Sequence, residues 1–105
     1  MMDKAVLVNN NFILCTEHEE IYKKDFNVTC NAIDMIFVHV GRDEVEGGTV
    51  YVYGCPALQE AGMLITAKVA KIVTNREPEN SDELAARVLL IDNGIDYEIN
   101  PEIVL

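Results

Sequence analysis

The sequence of 105 residues has no tryptophan, only three prolines and three cysteines, and few basic residues. Eight lysines and arginines stand against 18 acids, so the formal net charge at pH 7 is −10. Such a charge repels nucleic acid and anionic membranes, so direct binding to either is not expected. Long apolar runs are also missing: a run such as Met35–Val38 is only four residues long, whereas a membrane helix needs ~20.

The cysteines Cys15, Cys30 and Cys55 are odd in number and widely spaced, which is not the pattern of a disulfide framework. The apolar stretch 5–8 is too short for the core of a secretory signal. We therefore predict reduced thiols and a cytoplasmic location. Histidine or cysteine pairs at zinc-ligand spacing and glycine-rich phosphate loops are absent from the sequence, so no metal and no cofactor is expected.

Half of the residues are apolar and a quarter are charged, which is typical of a folded globular chain of one domain, residues 1–105. We predict an α+β fold in which an antiparallel sheet of five or six strands is covered on one face by two helices. Asn9, Asn10 and Asn11 separate two apolar runs and predict a hairpin turn. The glycine-bounded segment 41–48 predicts a second hairpin tip. The predicted strands cover 5–8, 12–15, 26–30, 35–40, 49–53 and 95–100.

The segment 56–74 can be interpreted in two ways. Its apolar residues recur at helical spacing, and Pro56 suits the first position of a helix, where its missing N–H costs nothing. However, residues 64–74 are rich in β-branched side chains, which favour strands. We predict a helix here; two strands would instead give a mostly β fold with one helix near 81–93.

The last helix, over 81–93, has clearer boundaries. Asn80 is a suitable N-cap, Glu83 stands three residues further on, and Gly94 ends the helix. The spacing of Glu83 and Arg87 predicts an ion pair one turn apart. Leu84, Val88 and Ile91 form one apolar stripe. The complete predicted core is Val6, Leu7, Ile13, Phe26, Val28, Ile36, Val38, Val50, Val52, Leu58, Ile65, Val69, Ile72, Leu84, Val88 and Ile91.

Cys55 is the clearest candidate for a reactive side chain. It follows a predicted strand and precedes Pro56, so it would lie at a helix N-terminus, where the helix dipole lowers the pKa of a thiol. A thiol-dependent enzyme or redox protein is therefore one hypothesis, and a small buried residue is the alternative. His39 is expected to be hydrogen-bonded inside a strand, and His18 lies in a solvated run of charges.

The acids provide a second hypothesis. Residues 76–105 contain eight acids and two arginines, and the predicted tip at 43–46 adds further carboxylates. Because charge complementarity accelerates association, these acids predict an inhibitor or immunity-type protein that is not an enzyme and that docks on a basic protein partner. The predicted docking residues are Asp43, Glu44, Glu46, Glu77, Glu79, Asp82 and Glu83.

A third hypothesis is a homo-oligomeric structural subunit. The helix over 81–93 is apolar around most of its circumference, which is typical of a helix buried on two sides or at a subunit interface.

Overall fold

The computed structural model describes residues 3–23 and 26–105, and it describes side chains over 3–20 and 30–105. Within these residues the chain forms seven strands and four helices. In chain order the elements are β1 (Lys4–Asn9), β2 (Phe12–Glu17), β3 (Glu19–Lys23), β4 (Phe26–Cys30), α1 (Ala32–His39), α2 (Arg42–Val45), β5 (Thr49–Val52), α3 (Leu58–Thr66), β6 (Lys71–Thr74), α4 (Ser81–Asp92) and β7 (Asp96–Ile99).

The main sheet has five strands in the order β2-β1-β5-β6-β7, and β3 pairs with β4 as a separate two-stranded sheet. Strand β1 runs antiparallel to β2 and to β5, whereas β5, β6 and β7 are parallel to one another. The prediction of an antiparallel sheet is therefore wrong, and the sheet is mixed. The reason is that α3 and α4 each connect one strand to the next as a crossover, which makes consecutive strands parallel.

The hairpin predicted at the three asparagines is confirmed. Asn9 lies opposite Phe12 in the antiparallel pair of β1 and β2. Asn10 has a φ of 54°, in the left-handed region that asparagine tolerates better than most residues.

The strand predicted over 35–40 and the hairpin tip predicted over 41–48 are wrong. Residues 32–39 form helix α1, and 42–45 form the short helix α2. Asp34 favours the helix because its carboxylate accepts a hydrogen bond from the N–H of Asn31, the N-cap. A short apolar run is compatible with a buried strand or with one face of a helix, so periodicity alone did not distinguish them.

The segment 56–74 contains a helix and a strand in sequence. Helix α3 ends at Thr66, and Lys68, with a φ of 58°, turns the chain into β6. The N–H of Val69 donates to the carbonyl of Leu64 across this turn. The prediction of one helix over 56–74 is therefore wrong beyond Thr66, and the alternative of two strands is also wrong, because the helical spacing holds for 58–66 and the β-branched residues form a strand only over 71–74.

The core lies where the central strands pack against the helices. Leu7, Ile36, Val50, Val52, Val69 and Ile72 are buried, as predicted. Val6 and Ile65 are half-buried, and Phe26 and Val28 lie outside the residues whose side chains are described. Six predicted core residues are exposed, because they lie on an edge strand or on the outer faces of helices: Ile13, Val38, Leu58, Leu84, Val88 and Ile91.

Helix α4 begins at the predicted residue and ends one residue before the predicted end, but it presents a different face to the core. Its N-cap, Asn80, accepts a hydrogen bond from the N–H of Glu83 at 2.8 Å, as its position in the sequence predicts. Ala86 and Leu90 are the fully buried residues of this helix, whereas Leu84, Val88 and Ile91 are 50%, 57% and 48% exposed. Among the described residues, no helix is both long and apolar enough to cross a membrane.

Candidate functional site

A cleft of about 280 Å³ opens at the carboxyl ends of the parallel strands β5 and β6. Parallel strands deliver the loops that follow them to one edge of a sheet, which is the usual ligand position in α/β folds. The loop after β5 contributes Tyr53, Gly54 and Cys55, and the loop after β6 contributes Arg76. The volume lies just below the usual range of small-molecule sites, roughly 300–1,000 Å³.

Three helices begin near the cleft: α1 contributes its N-cap, and α3 and α4 each contribute a residue of the first turn. Asn31, the N-cap of α1, lines the cleft together with Glu60 of α3 and Glu83 of α4. Asp3 and His18 complete its polar wall. Sequence reasoning placed His18 in a solvated charge run, and the structure agrees that it is exposed. His39 lies at the end of α1 and is exposed, so the prediction of a histidine inside a strand is wrong.

Carboxylates of the chain accept hydrogen bonds from backbone N–H groups at the starts of α1 and α3, near the cleft. Asp3 accepts from the N–H of Ala32 at 2.9 Å, and Asp82 accepts from the N–H of Leu58 at 3.1 Å. These donors would otherwise form an anion site at a helix N-terminus. With carboxylates of the chain as their acceptors, these two N–H groups are not available to an anionic ligand group.

Arg76 connects the loop after β6 to helix α4 near the cleft. Its two terminal nitrogens each lie 2.9 Å from a carboxylate oxygen of Glu83, and its Nε lies 3.0 Å from Glu79. The hydrogen bond with Glu83 raises the pKa of Arg76, and the same contact lowers the pKa of Glu83. Arg76 is thus a fixed cation whose charge is balanced by acids of the chain.

Cys55 lies in the cleft, but its position relative to α3 and the direction of its pKa shift both differ from the prediction. Helix α3 begins at Leu58 after its N-cap Ala57, so Cys55 precedes the helix rather than occupying its first turn. Its Sγ donates to the carbonyl of Arg76 at 3.4 Å. Burial raises the pKa of this thiol, with Tyr97 and Arg76 acting in the opposite direction. The prediction of a lowered thiol pKa is therefore wrong.

Glu60 is the residue that sequence reasoning missed. Its position off the apolar face of the predicted helix indicated a solvated side chain, yet Glu60 is only 5% exposed. Its Oε1 accepts from the N–H of Ala57 at 2.8 Å. Its Oε2 is buried without a hydrogen-bond partner among the described residues. The capping-box spacing of Ala57 and Glu60 was the available signal, but it does not indicate burial.

Desolvation also affects the titration of Glu60. Burial raises its pKa above the ordinary value of 4.5, and the acids Asp34 and Asp3 act in the same direction. The N–H of Ala57 and the nearby side chain of Asn31 oppose this shift. A carboxylate in such a position is stabilised by any group that donates a hydrogen bond to its free oxygen.

The residues predicted to dock a basic partner lie in two separate regions. Asp43 and Glu44 are on α2, and Glu46 ends that helix. Glu46 lies 4.0 Å from Lys68, and Glu77 lies 3.4 Å from Arg87. Around the cleft, Glu79 and Glu83 contact Arg76, and Asp82 caps α3, as described above. Four of these acids are thus paired with bases of the same chain, and their role toward a partner stays a prediction.

A second cavity, of about 610 Å³, lies between α1 and α3. It is lined by Phe37, Val40, Gly62 and Met63 with a few polar groups. Its polar side chains are those of Arg42, Gln59 and Thr66. The cleft beside Glu60 has more polar and charged side chains, so it is the better candidate for specific recognition.

Solved structures of other proteins share this fold. The dCMP deaminase from the cyanophage S-TIM5, in complex with dCMP and dUMP, is similar with a TM-score of 0.74 and 16% identity, over 94% of this chain and 81% of that chain. RibD from Acinetobacter baumannii is similar with a TM-score of 0.71 and 21% identity, over 92% of this chain and 28% of that chain. At these identities the likeness shows the fold. No family model matches the sequence, and no curated protein matches it.

These similarities correct the predicted function. The hypothesis of an inhibitor or immunity-type protein that is not an enzyme is wrong, because the chain has the α/β fold of a dCMP deaminase and of part of RibD. The physical reason for the error is that net charge determines solubility and long-range attraction but not fold. The acidic surface was therefore a poor guide to function.

Proposed function

We propose that this chain binds a nucleobase-bearing small molecule, a pyrimidine nucleoside or nucleotide, in the cleft beside Glu60. The observation that carries the proposal is the position of the cleft. It lies at the carboxyl ends of β5 and β6, in a fold shared with a deaminase whose structure contains dCMP and dUMP. Ligands of open α/β sheets bind at this edge.

The residues of the cleft have distinct parts in this proposal. Val52 and Ile33 supply apolar surface against which a flat ring can pack. Glu60 and Asp3 are acceptors that can orient polar groups on the ring. Arg76 holds Glu83 in place and thereby fixes the wall of the cleft between β6 and α4.

Zinc is the metal that this fold implies, and the residues present do not fit it. Nucleobase deaminases that use zinc bind it with one histidine and two cysteines, in a signature of His-x-Glu followed by Pro-Cys-x-x-Cys. No Pro-Cys pair occurs in the 105 residues. Cys55 is the cysteine of the cleft, but Gly54 precedes it in place of proline, and Leu58 stands three residues later in place of a second cysteine.

The His-x-Glu part of the signature does not lie where a zinc ligand of this fold would be needed. His-x-Glu occurs at His18, in the connection between β2 and β3, rather than at the start of a helix. Over the described part of the chain, no three histidine, cysteine or acidic side chains are grouped so that they could hold a metal. We therefore derive no reaction step through zinc.

Calorimetric titration with dCMP and with dUMP tests the proposal, with ribose 5-phosphate, which has no base, as the control ligand. We expect saturable binding of at least one nucleotide and none of the sugar phosphate. NMR then locates the ligand: the amide signals of Tyr53, Gly54 and Cys55 should shift, whereas those of Gly62 and Met63, at the second cavity, should not. Absence of nucleotide binding, or shifts confined to the second cavity, would remove the proposal.

The same samples report on turnover. Ammonia release from dCMP, measured with and without added zinc, shows whether the bound nucleotide is also deaminated. The proposed setting for this function is the cytoplasm, which is supported by the free thiols of Cys15, Cys30 and Cys55.

A further inference from the structure

The two carboxylate oxygens of Glu60 differ in their hydrogen bonding. The N–H of Ala57 fixes Oε1, so the carboxylate is oriented as part of the first turn of α3. Glu60 lines the cleft, and its Oε2 is buried without a hydrogen-bond partner among the described residues. A buried acceptor without a donor is destabilising, so such an atom favours a hydrogen-bond partner.

The chain does not offer a cation to this oxygen. Arg76, the base that lines the cleft, has its guanidinium engaged by Glu83 and Glu79. The acids Asp3 and Asp34 lie close enough to raise the pKa of Glu60, and they add negative charge around it. The side chain of Asn31, which also lines the cleft, is a nearby donor that favours the charged form of Glu60, yet Oε2 has no hydrogen-bond partner among the described residues. A hydrogen-bond donor that enters the cleft can supply this partner.

A metal ion is a poor candidate for this partner. Zinc prefers sulfur and nitrogen ligands together with a nearly closed tetrahedral set. No such set surrounds Glu60 in the described residues. An N–H group of an organic ligand needs only the one free oxygen that the structure provides.

We propose that the free Oε2 of Glu60 accepts a hydrogen bond from an N–H group on the edge of the bound base, and that this contact selects the ligand. The inference rests on the proposed function, because it assumes that a base occupies the cleft. In place of a metal-binding side chain, this fold would then carry an acceptor that recognises the base directly.

Three nucleosides test this contact in calorimetric titrations of the full chain. Cytidine has an amino group, uridine has a ring N–H, and the riboside of pyrimidin-2-one has no N–H on its base. We expect cytidine, uridine or both to bind more tightly than the pyrimidin-2-one riboside by roughly ten- to a hundredfold, since a hydrogen bond to a charged group is worth about 1.5–3 kcal/mol.

Glu60→Gln is the matched variant. Its amide oxygen can still accept from the N–H of Ala57, while its NH₂ group places donors where Oε2 was an acceptor. The preference for N–H-bearing bases should disappear or reverse. Glu98→Gln, on β7 and away from the cleft, removes one charge and should keep the original preference.

The outcomes separate this inference from the proposed function. Binding of all three nucleosides with equal affinity by the natural chain would overturn the role of Glu60 and leave the proposed function standing. Binding of dCMP or dUMP without binding of any of the three nucleosides would overturn the inference alone, and binding of no nucleoside and no nucleotide would remove both. The comparison of the three nucleosides uses the natural chain alone. It therefore tests recognition of the N–H group even if Glu60→Gln does not fold. Stoichiometric zinc retained by the purified chain and lost in Glu60→Gln would also overturn the inference.

Discussion

Arg76 and Glu83 form a bidentate ion pair in which two parallel N–H···O contacts are each 2.9 Å long. The spacing of the sequence instead predicted a pair between Glu83 and Arg87. Arg87 contacts Glu77 at 3.4 Å. The half-buried pair of Arg76 and Glu83 joins the loop after β6 to the first turn of α4, so it fixes the wall of the cleft.

Loss of this pair is expected to destabilise the fold. Glu83→Gln should lower the free energy of unfolding at pH 7 by about 2 kcal/mol, because a charge-assisted bidentate contact is replaced by a weaker neutral one. Glu77→Gln, which affects an exposed ion pair, should change it by less than about 0.5 kcal/mol. Urea denaturation measures both, and equal effects of the two substitutions would contradict the assigned role of Glu83.

Glu60 should make stability depend on pH in a specific direction. Its pKa is raised by burial above the unfolded value of 4.5. The folded chain therefore binds this proton more tightly than the unfolded chain, and stability falls as the pH rises from 4.5 through the folded pKa. Below pH 4.5 this contribution vanishes, because the carboxyl group is protonated in both states.

Glu60→Gln removes that titration. The melting temperature of the variant minus that of the natural chain should be more positive at pH 7.5 than at pH 4. Glu98→Gln should show a smaller dependence on pH. A difference in melting temperature that is independent of pH would show that burial of Glu60 carries no penalty for its charge.

Thr16 provides a test of the connection between the sheet and α1. Its hydroxyl is buried and donates to the carbonyl of Ala32 at 2.7 Å. Thr16→Val keeps the shape and removes the donor, and it should cost about 1 kcal/mol of stability. Thr16→Ser keeps the hydroxyl, so it should retain the hydrogen bond. A loss in Thr16→Ser as large as that in Thr16→Val would assign the effect to packing rather than to the hydrogen bond.

The outer face of α4 is expected to mediate self-association. Leu84, Val88 and Ile91 are about half exposed on one side of this helix, and contiguous exposed apolar surface is typical of an interface. Sedimentation velocity at two concentrations should detect a species larger than the monomer of 11.7 kDa. Val88→Glu should return it to the monomer, because a charge in an apolar interface is costly. A monomer at both concentrations would remove this prediction.

Local signals in the sequence predicted the elements whose causes are local. The hairpin at Asn10 and the start of α4 at Asn80 each depend on side chains within a few residues, and both are present in the structure. The strand predicted over 35–40 is wrong because the apolar run itself fits a strand or a helix face, and the cap at Asn31 and Asp34 that favours a helix lies just before the run.

The sequence by itself determined that this chain forms a folded core of helices and strands, where its asparagine hairpin and its last helix occur, and that its surface is strongly acidic. Tertiary structure alone decided which strands are parallel, which side of α4 faces the core, and that Glu60 is buried beside a cleft. The physical reason is that hydrogen bonding within a turn depends on adjacent residues, whereas burial and strand direction depend on contacts between distant ones. Glu60 and Arg76 became candidates for function only when β5, β6 and α3 had brought them to one edge of the sheet.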